Sequence, residues 1–289
     1  MERVPRWVGP ALGTMLVLSG AAGLAYQVLW VRQLVFVLGG SSIAISTILA
    51  IFFAGLGLGS FFGGKIADRA ERPLRYYALA EVLIGLTALA TPYLLSASGS
   101  VYLGLYELFA GSPGGVLLSR SLATALILIV PTTLMGATLP LVSRFYIRSV
   151  DRVGRGLGLL YGLNTLGAVL GAGIVGYYTI LSIGVQASFF LAVAANLIAG
   201  LGALVLDVAA GRSFGTGSAA STAATGSSET TPVAPAQVSP RLGPVNRRVV
   251  QVAFLGFALS GLTSIAYEVL WTRALNFAIG NFLNQLFSR

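Results

Sequence analysis

The 289-residue chain is 56% hydrophobic and only 9% charged, against about 25% charged residues in ordinary soluble domains, which excludes a soluble globular fold. With no cysteine and no histidine, disulfides, thiolate nucleophiles, zinc sites, haem ligation through His and Ser-His-Asp triads are excluded as well. The net charge of +9 does not point to nucleic acid, because 17 of the 18 basic residues are Arg and most sit in short loops between apolar segments, where charge sets membrane orientation.

The apolar runs are long enough to cross a hydrocarbon layer of about 30 Å as helices, and they lack the period-two alternation of a β-barrel. Seven spanning segments are expected, near 8–38, 42–63, 74–97, 121–146, 156–181, 184–206 and 249–280. The first apolar stretch, starting near Trp7, exceeds the roughly 7–15 residue core of a cleavable signal peptide, so it is expected to be retained as a helix. Arg3, Arg6, Lys65, Arg69, Arg72, Arg75, Arg144, Arg148, Arg152, Arg155, Arg212, Arg241, Arg247 and Arg248 fall on alternate loops. That pattern predicts a cytoplasmic N-terminus.

Segment 98–120 forms the one sizeable external loop. Within it, VYLGLYELFA (Val101–Ala110) has the spacing of an interfacial helix, and an ordered cap over the bundle is the alternative. Residues 209–246 turn small, polar and Pro-containing. They are expected to be a flexible cytoplasmic linker with a root-mean-square reach of roughly 35 Å. The predicted organisation is therefore an all-α, polytopic helical membrane protein. It comprises a six-helix bundle over 1–208, the linker over 209–246, and over 247–289 a seventh helix that opens a second repeat.

The repeat is explicit. LSGAAGLAYQVLWVRQLVFVLGG (Leu18–Gly40) and LSGLTSIAYEVLWTRALNFAIGN (Leu259–Asn281) are identical at 12 of 23 positions, including Ser19/Ser260, Gly20/Gly261, Tyr26/Tyr267, Trp30/Trp271 and Arg32/Arg273. Six helices precede the second copy, so both copies cross in the same direction, as in a parallel repeat of two six-helix halves. FLNQLFSR after Asn281 does not follow the pattern seen after Gly40, which suits a truncated or frameshifted product, or a fragment.

Candidate functional residues are those that are costly in a membrane. Glu81 stands about 10 Å into the third segment and is the sharpest candidate for a cavity or a polar partner; a purely structural, hydrogen-bonded carboxyl is the competing reading. Asn164 is the next polar group. Gln27, replaced by Glu268 in the second copy, is a further candidate site between halves. Tyr26, Trp30 and Gln33 share a helix face, and Tyr26, Trp30 and Arg32, with Tyr267, Trp271 and Arg273, read as outer-interface anchors. Arg32 lies about 39 Å along the helix from Arg6, too far towards the other side to pair with Glu81. Gly171, Gly173 and Gly176 satisfy GxGxxG but lie in an apolar helix with no preceding strand, and Gly59 to Lys65 lacks the Ser/Thr of a P-loop. Gly55, Gly59, Gly63, Gly167 and Gly171 are better read as helix contact faces. Pro131 and Pro140 free backbone groups inside the fourth segment. No catalytic residue, metal site or cofactor is expected in this chain.

Four ordered stretches, SGAAGLAYQVLWVRQL (Ser19–Leu34), STILAIFFAGLGLGSFFGGKIADR (Ser46–Arg69), PTTLMGATLPLVSRF (Pro131–Phe145) and YGLNTLGAVLGA (Tyr161–Ala172), resemble the membrane region of the fused transporter-like/spermidine synthase proteins of bacteria and archaea. The resemblance implies a major-facilitator-like bundle in the prokaryotic inner membrane. It also implies a partner aminopropyltransferase domain using decarboxylated S-adenosylmethionine and a polyamine; nothing here matches that domain's catalytic loop. Within GGKIADR, Gly64, Asp68 and Arg69 are similar to the cytoplasmic loop motif of facilitator transporters, although AERPLR departs from that pattern afterwards. Two functions follow as expectations: a non-catalytic membrane module of such a fusion, or half of a facilitator-type transporter for a small solute, possibly a polyamine. The expected partners are the lipid bilayer and either an aminopropyltransferase domain or a second membrane half.

Overall fold

The computed structural model describes residues 7–38, 41–109, 112, 114–147, 153–222 and 247–287. Among them there are no strands. The helices are α1 (Val8–Leu38), α2 (Ser41–Arg69), α3 (Pro73–Ala97), α4 (Gly99–Leu108), α5 (Gly115–Tyr146), α6 (Val153–Ile174), a π-helical turn (Val175–Thr179), α7 (Ile180–Thr222) and α8 (Arg247–Phe287). The chain divides into two compact units, Met1–Ser218 and Ala219–Arg289, and α8 belongs to the second.

Five helical stretches are long and apolar enough to cross a membrane: Val8–Val35, Ile43–Arg69, Pro73–Ala97, Gly115–Tyr146 and Gly154–Ala209. The chain is a multi-pass helical membrane protein. The last stretch holds 56 residues, about 84 Å if straight, and far exceeds one crossing. Gly184 interrupts it with φ of 82°, a left-handed conformation that only glycine adopts without strain.

Side-chain contacts establish that the chain turns back there. Val17 and Ala21 of α1 meet Gly167 and Gly171 of α6 in ascending order, so α1 and α6 run parallel. Ser19 meets Glu81 and Trp30 meets Thr91, so α3 is parallel to both. Arg75 and Glu81 of α3, however, meet Asp207 and Asn196 of α7 in descending order. The arm after Gly184 is therefore antiparallel, and the first unit holds two arms where the apolar stretch is continuous. The expected segments 156–181 and 184–206 correspond to these arms.

Close helix contacts rest on small residues. A Cβ on Gly59 would lie 1.9 Å from the Thr133 carbonyl oxygen and 2.8 Å from the Gly136 Cα, and Gly55 and Gly63 meet Thr132 and Ala137 in the same way. Such contact lets dispersion act between backbones where the hydrophobic effect cannot drive helix association. Gly171 is one of these contact glycines, whereas Gly173 and Gly176 meet nothing within 4 Å. Large apolar residues including Leu58, Phe61, Phe62, Leu79, Leu83 and Leu86 are exposed, the outward face expected of helices in lipid.

Three boundaries differ from expectation. α2 runs through Arg69, so Gly64, Asp68 and Arg69 form its final turns rather than a loop; strong helix formers such as Lys65 and Ala67 continue the hydrogen-bond ladder until Pro73 restarts the chain as α3. α7 continues to Thr222, which makes the start of the expected 209–246 linker helical, and residues 223–246 lie outside the described part. VYLGLYELFA falls on α4, which ends at Leu108. Residues 1–6, with Arg3 and Arg6, lie outside the described residues, as do Arg148, Arg152 and Arg241.

Substituting Gly59→Leu is expected to lower stability by about 1–3 kcal/mol through overpacking against α5, measured by denaturant titration in mixed micelles. Gly57→Ala, whose Cβ meets open space, serves as the matched control and should change little.

Candidate functional site

Two apolar cores are stacked along the first unit. One gathers Tyr26, Leu29, Trp30, Ile84, Ala88 and Phe189; the other gathers Leu12, Leu16, Leu74, Tyr77, Ala78 and Leu206. Between them, where α1, α3 and α7 meet, lies a polar layer centred on Glu81, which is completely buried. Ser19 Oγ donates to one carboxyl oxygen at 2.6 Å. Asn196 Nδ2 donates to the other at 2.5 Å and also reaches the Glu81 backbone carbonyl at 3.2 Å.

Further polar atoms surround this carboxyl. The Tyr77 hydroxyl, one helical turn before Glu81, is close enough to interact with both Glu81 and Ser19, but it completes no hydrogen bond. Tyr26 lies within electrostatic reach of Glu81, and its hydroxyl and the Asn196 Oδ1 are likewise buried without a hydrogen-bond partner. No Lys or Arg pairs with Glu81 among the described residues. A layer with one strong acceptor and several unmet polar atoms has spare capacity for a proton, a water molecule or a small polar solute.

The layer continues towards both ends of the bundle. Beyond Tyr26, Trp30 Nε1 donates to Thr91 Oγ1 at 3.0 Å, and Thr91 in turn donates to the Ala88 carbonyl at 2.7 Å. That carbonyl lacks its usual partner because Pro92, four residues on, has no N–H. Thr91 thus repairs a proline break and anchors an indole in one step. Ser60 of α2 does the same for Pro140, donating at 3.1 Å to the Gly136 carbonyl. At the other end, Arg75 Nε pairs with Asp207 at 3.3 Å, with the arginine half-exposed and the aspartate nearly buried.

These positions correct the reading of Tyr26 and Trp30 as interface anchors. Both are completely buried, and their rings stack at 5.6 Å with Phe189 tilted against Tyr26 at 5.5 Å. Their helix face turns inward because α3 and α7 cover it, and the Trp30 N–H finds its partner inside the protein rather than at a headgroup. Arg32 is exposed, as an interface residue is. Asn164 is half-buried; its backbone carbonyl packs on Gly20, beside Ser19, but it does not bond the carboxyl. Gln27 is half-buried on α1 and does not bond Glu81 either. On α8, Tyr267, Trp271 and Glu268 are exposed, and the Arg273 side chain lies outside the described residues.

Sequence reasoning found Glu81 and missed its partners Asn196 and Ser19 and the neighbouring Tyr77. The signals were present: Ser19 recurs as Ser260, Tyr77 stands four residues before Glu81, and Asn196 interrupts an apolar run as Asn164 does. No family model, curated protein or solved structure matches the chain.

Ser19→Ala is expected to cost about 0.6–1.7 kcal/mol, the range of interhelical hydrogen bonds in membranes. Glu81→Leu should cost about 1–3 kcal/mol, because Asn196 and Ser19 both lose their acceptor. Unfolding of the full chain in mixed micelles measures both, and equal stability of wild type and Glu81→Leu would show that the layer does not hold the helices together.

Proposed function

We propose that the chain is a non-catalytic, facilitator-type membrane module related to the spermidine-synthase-like fusion proteins, and that its bundle handles a small solute, a polyamine by resemblance. The observation that supports this reading is Glu81: a carboxyl with no cationic partner among the described residues, buried where three helices meet. A carboxyl that faces unmet polar atoms within the bundle fits proton or solute exchange.

The charge distribution supports an N-terminus in the cytoplasm of a prokaryotic inner membrane. The ends of α2 and α5 and the starts of α3 and α6 share one end of the bundle, and Lys65, Arg69, Arg72, Arg75, Arg144 and Arg155 gather there, as the positive-inside rule requires. Arg120, at the opposite end, is engaged within the fold. Its Nη1 donates to the Val37 carbonyl at 3.0 Å and its guanidinium stands 5.3 Å from the Tyr102 ring centre.

A second membrane half as partner is supported by the repeat. The face carrying Tyr26 and Trp30 is buried, and its copy carrying Tyr267 and Trp271 is 59% and 63% exposed. A face written to be covered calls for helices equivalent to α3 and α7.

Uptake of labelled putrescine into liposomes holding the full chain tests the reading. A pH gradient should drive accumulation through wild type, and Glu81→Gln should abolish accumulation while leaving equilibrium exchange. Accumulation unchanged by the substitution would sink the role of Glu81 in proton coupling, and absence of any flux would sink transport by this chain.

A further inference from the structure

A cavity of about 360 Å³ opens beyond the Tyr26–Trp30 pair, lined by Gln33, Leu89, Tyr93, Gln186, Phe189 and Phe190 among others. It exists because both flanking backbones are irregular. Pro92 interrupts the α3 ladder, and Gly184 turns the chain into the arm that starts with Val185. The mouth lies where Tyr93 and Phe190 are exposed, and Phe189 forms a buried part of the wall. Its size falls within the range of small-molecule pockets.

The lining selects a chemistry. Three aromatic rings and aliphatic residues dominate it, and the polar groups are neutral: the amides of Gln33 and Gln186 and the Tyr93 hydroxyl. The Gln33 Oε1 atom is buried and unpartnered, an acceptor or, with the amide turned, a donor left to be met. Among the described residues no Lys, Arg, Asp or Glu lines the space, so none of them neutralises an anion there. Nor can a few neutral acceptors at one place match the several separated ammonium groups of a polyamine. Aromatic faces attract a single cation that brings its own apolar body, and the wall ring Phe189 contacts Tyr26, which lies within reach of the Glu81 carboxyl.

We infer that the cleft between α1, α3 and α7 is a binding site for a lipophilic monocation, held by the rings of Phe189, Phe190 and Tyr93 and by the amide oxygen of Gln33. The site goes beyond the transport reading and names a different ligand class from polyamines. Binding there is a property of the folded chain whether or not solute is carried across.

Isothermal titration of the full chain in detergent with benzylammonium, benzyl alcohol and putrescine tests it. Benzylammonium should bind about tenfold more tightly than the other two, the advantage of a cation–π contact with one charged hydrogen bond. Gln33→Leu should remove about tenfold of that affinity, and Gln33→Glu should tighten benzylammonium while leaving benzyl alcohol unchanged. Equal binding of benzylammonium and benzyl alcohol would reduce the site to an apolar cleft and overturn the inference. Indifference to both Gln33 variants, or the lack of any binding, would overturn it as well. Putrescine flux with these results would leave transport standing without the cleft, and cleft binding without flux would leave the cleft standing without transport.

Discussion

The first unit is organised around one completely buried carboxyl. Glu81 draws a hydroxyl from α1 and an amide from α7 onto opposite oxygens, and this fixes the register of three helices whose surfaces are otherwise interchangeable apolar stripes. In lipid, apolar side chains gain little by meeting one another, so directional bonds and close backbone contact have to specify the arrangement. A slip of one residue in α7 would remove Asn196 from the carboxyl and Asp207 from Arg75 together. The polar layer therefore acts as a register mark as well as a candidate site.

Glycine and hydroxyl residues do complementary work around that mark. Glycines bring α2 onto α5 and α1 onto α6 until backbones touch, which strengthens dispersion. Prolines leave carbonyls exposed in these same helices, an expense that water would meet in a soluble protein. Here Thr91 meets the carbonyl freed by Pro92 from within α3, and Ser60 meets the one freed by Pro140 from a neighbouring helix. The second arrangement ties α2 to α5 by a bond that exists only because the proline is there, which makes Pro140 part of the interface rather than a defect tolerated by it.

Much of this was legible before the structure, and the remainder was not, for definite reasons. Helical spans emerge from hydropathy because a helix in lipid must be apolar on nearly every side, so composition over 18 or more residues is decisive. That same uniformity erases the amphipathic stripe by which a soluble helix shows its buried face. Tyr26 and Trp30 were assigned to the membrane interface for this reason: their residue types favour that depth, and no polar face marks the opposite side. Glu81 stood out because ionisable residues are rare in such helices, whereas Asn196 and Ser19 are common enough in packed spans to pass unnoticed without their partner's position. The end of α2 was placed too early because Lys65 and Asp68 mark the end of the apolar run, not the end of the helix.

The repeated phrase links these points. Ser19, Tyr26 and Trp30 recur as Ser260, Tyr267 and Trp271, and in the first copy each has its polar or aromatic neighbour on α1, α3 or α7. Lipid interfaces alone would preserve Tyr and Trp as anchors but give no reason to keep a serine one turn and more below them. The serine makes sense when it donates to a buried carboxyl, and the indole when it meets a threonine beside a proline. Ser19 and Trp30, common to both copies, are thus residues that bond across helices in the first. Gln27, which bonds nothing at Glu81, is one of the eleven positions that differ, becoming Glu268. The two copies thus share residues that bond across helices in the first, while the second sets a carboxyl at Glu268 where the first has the amide of Gln27.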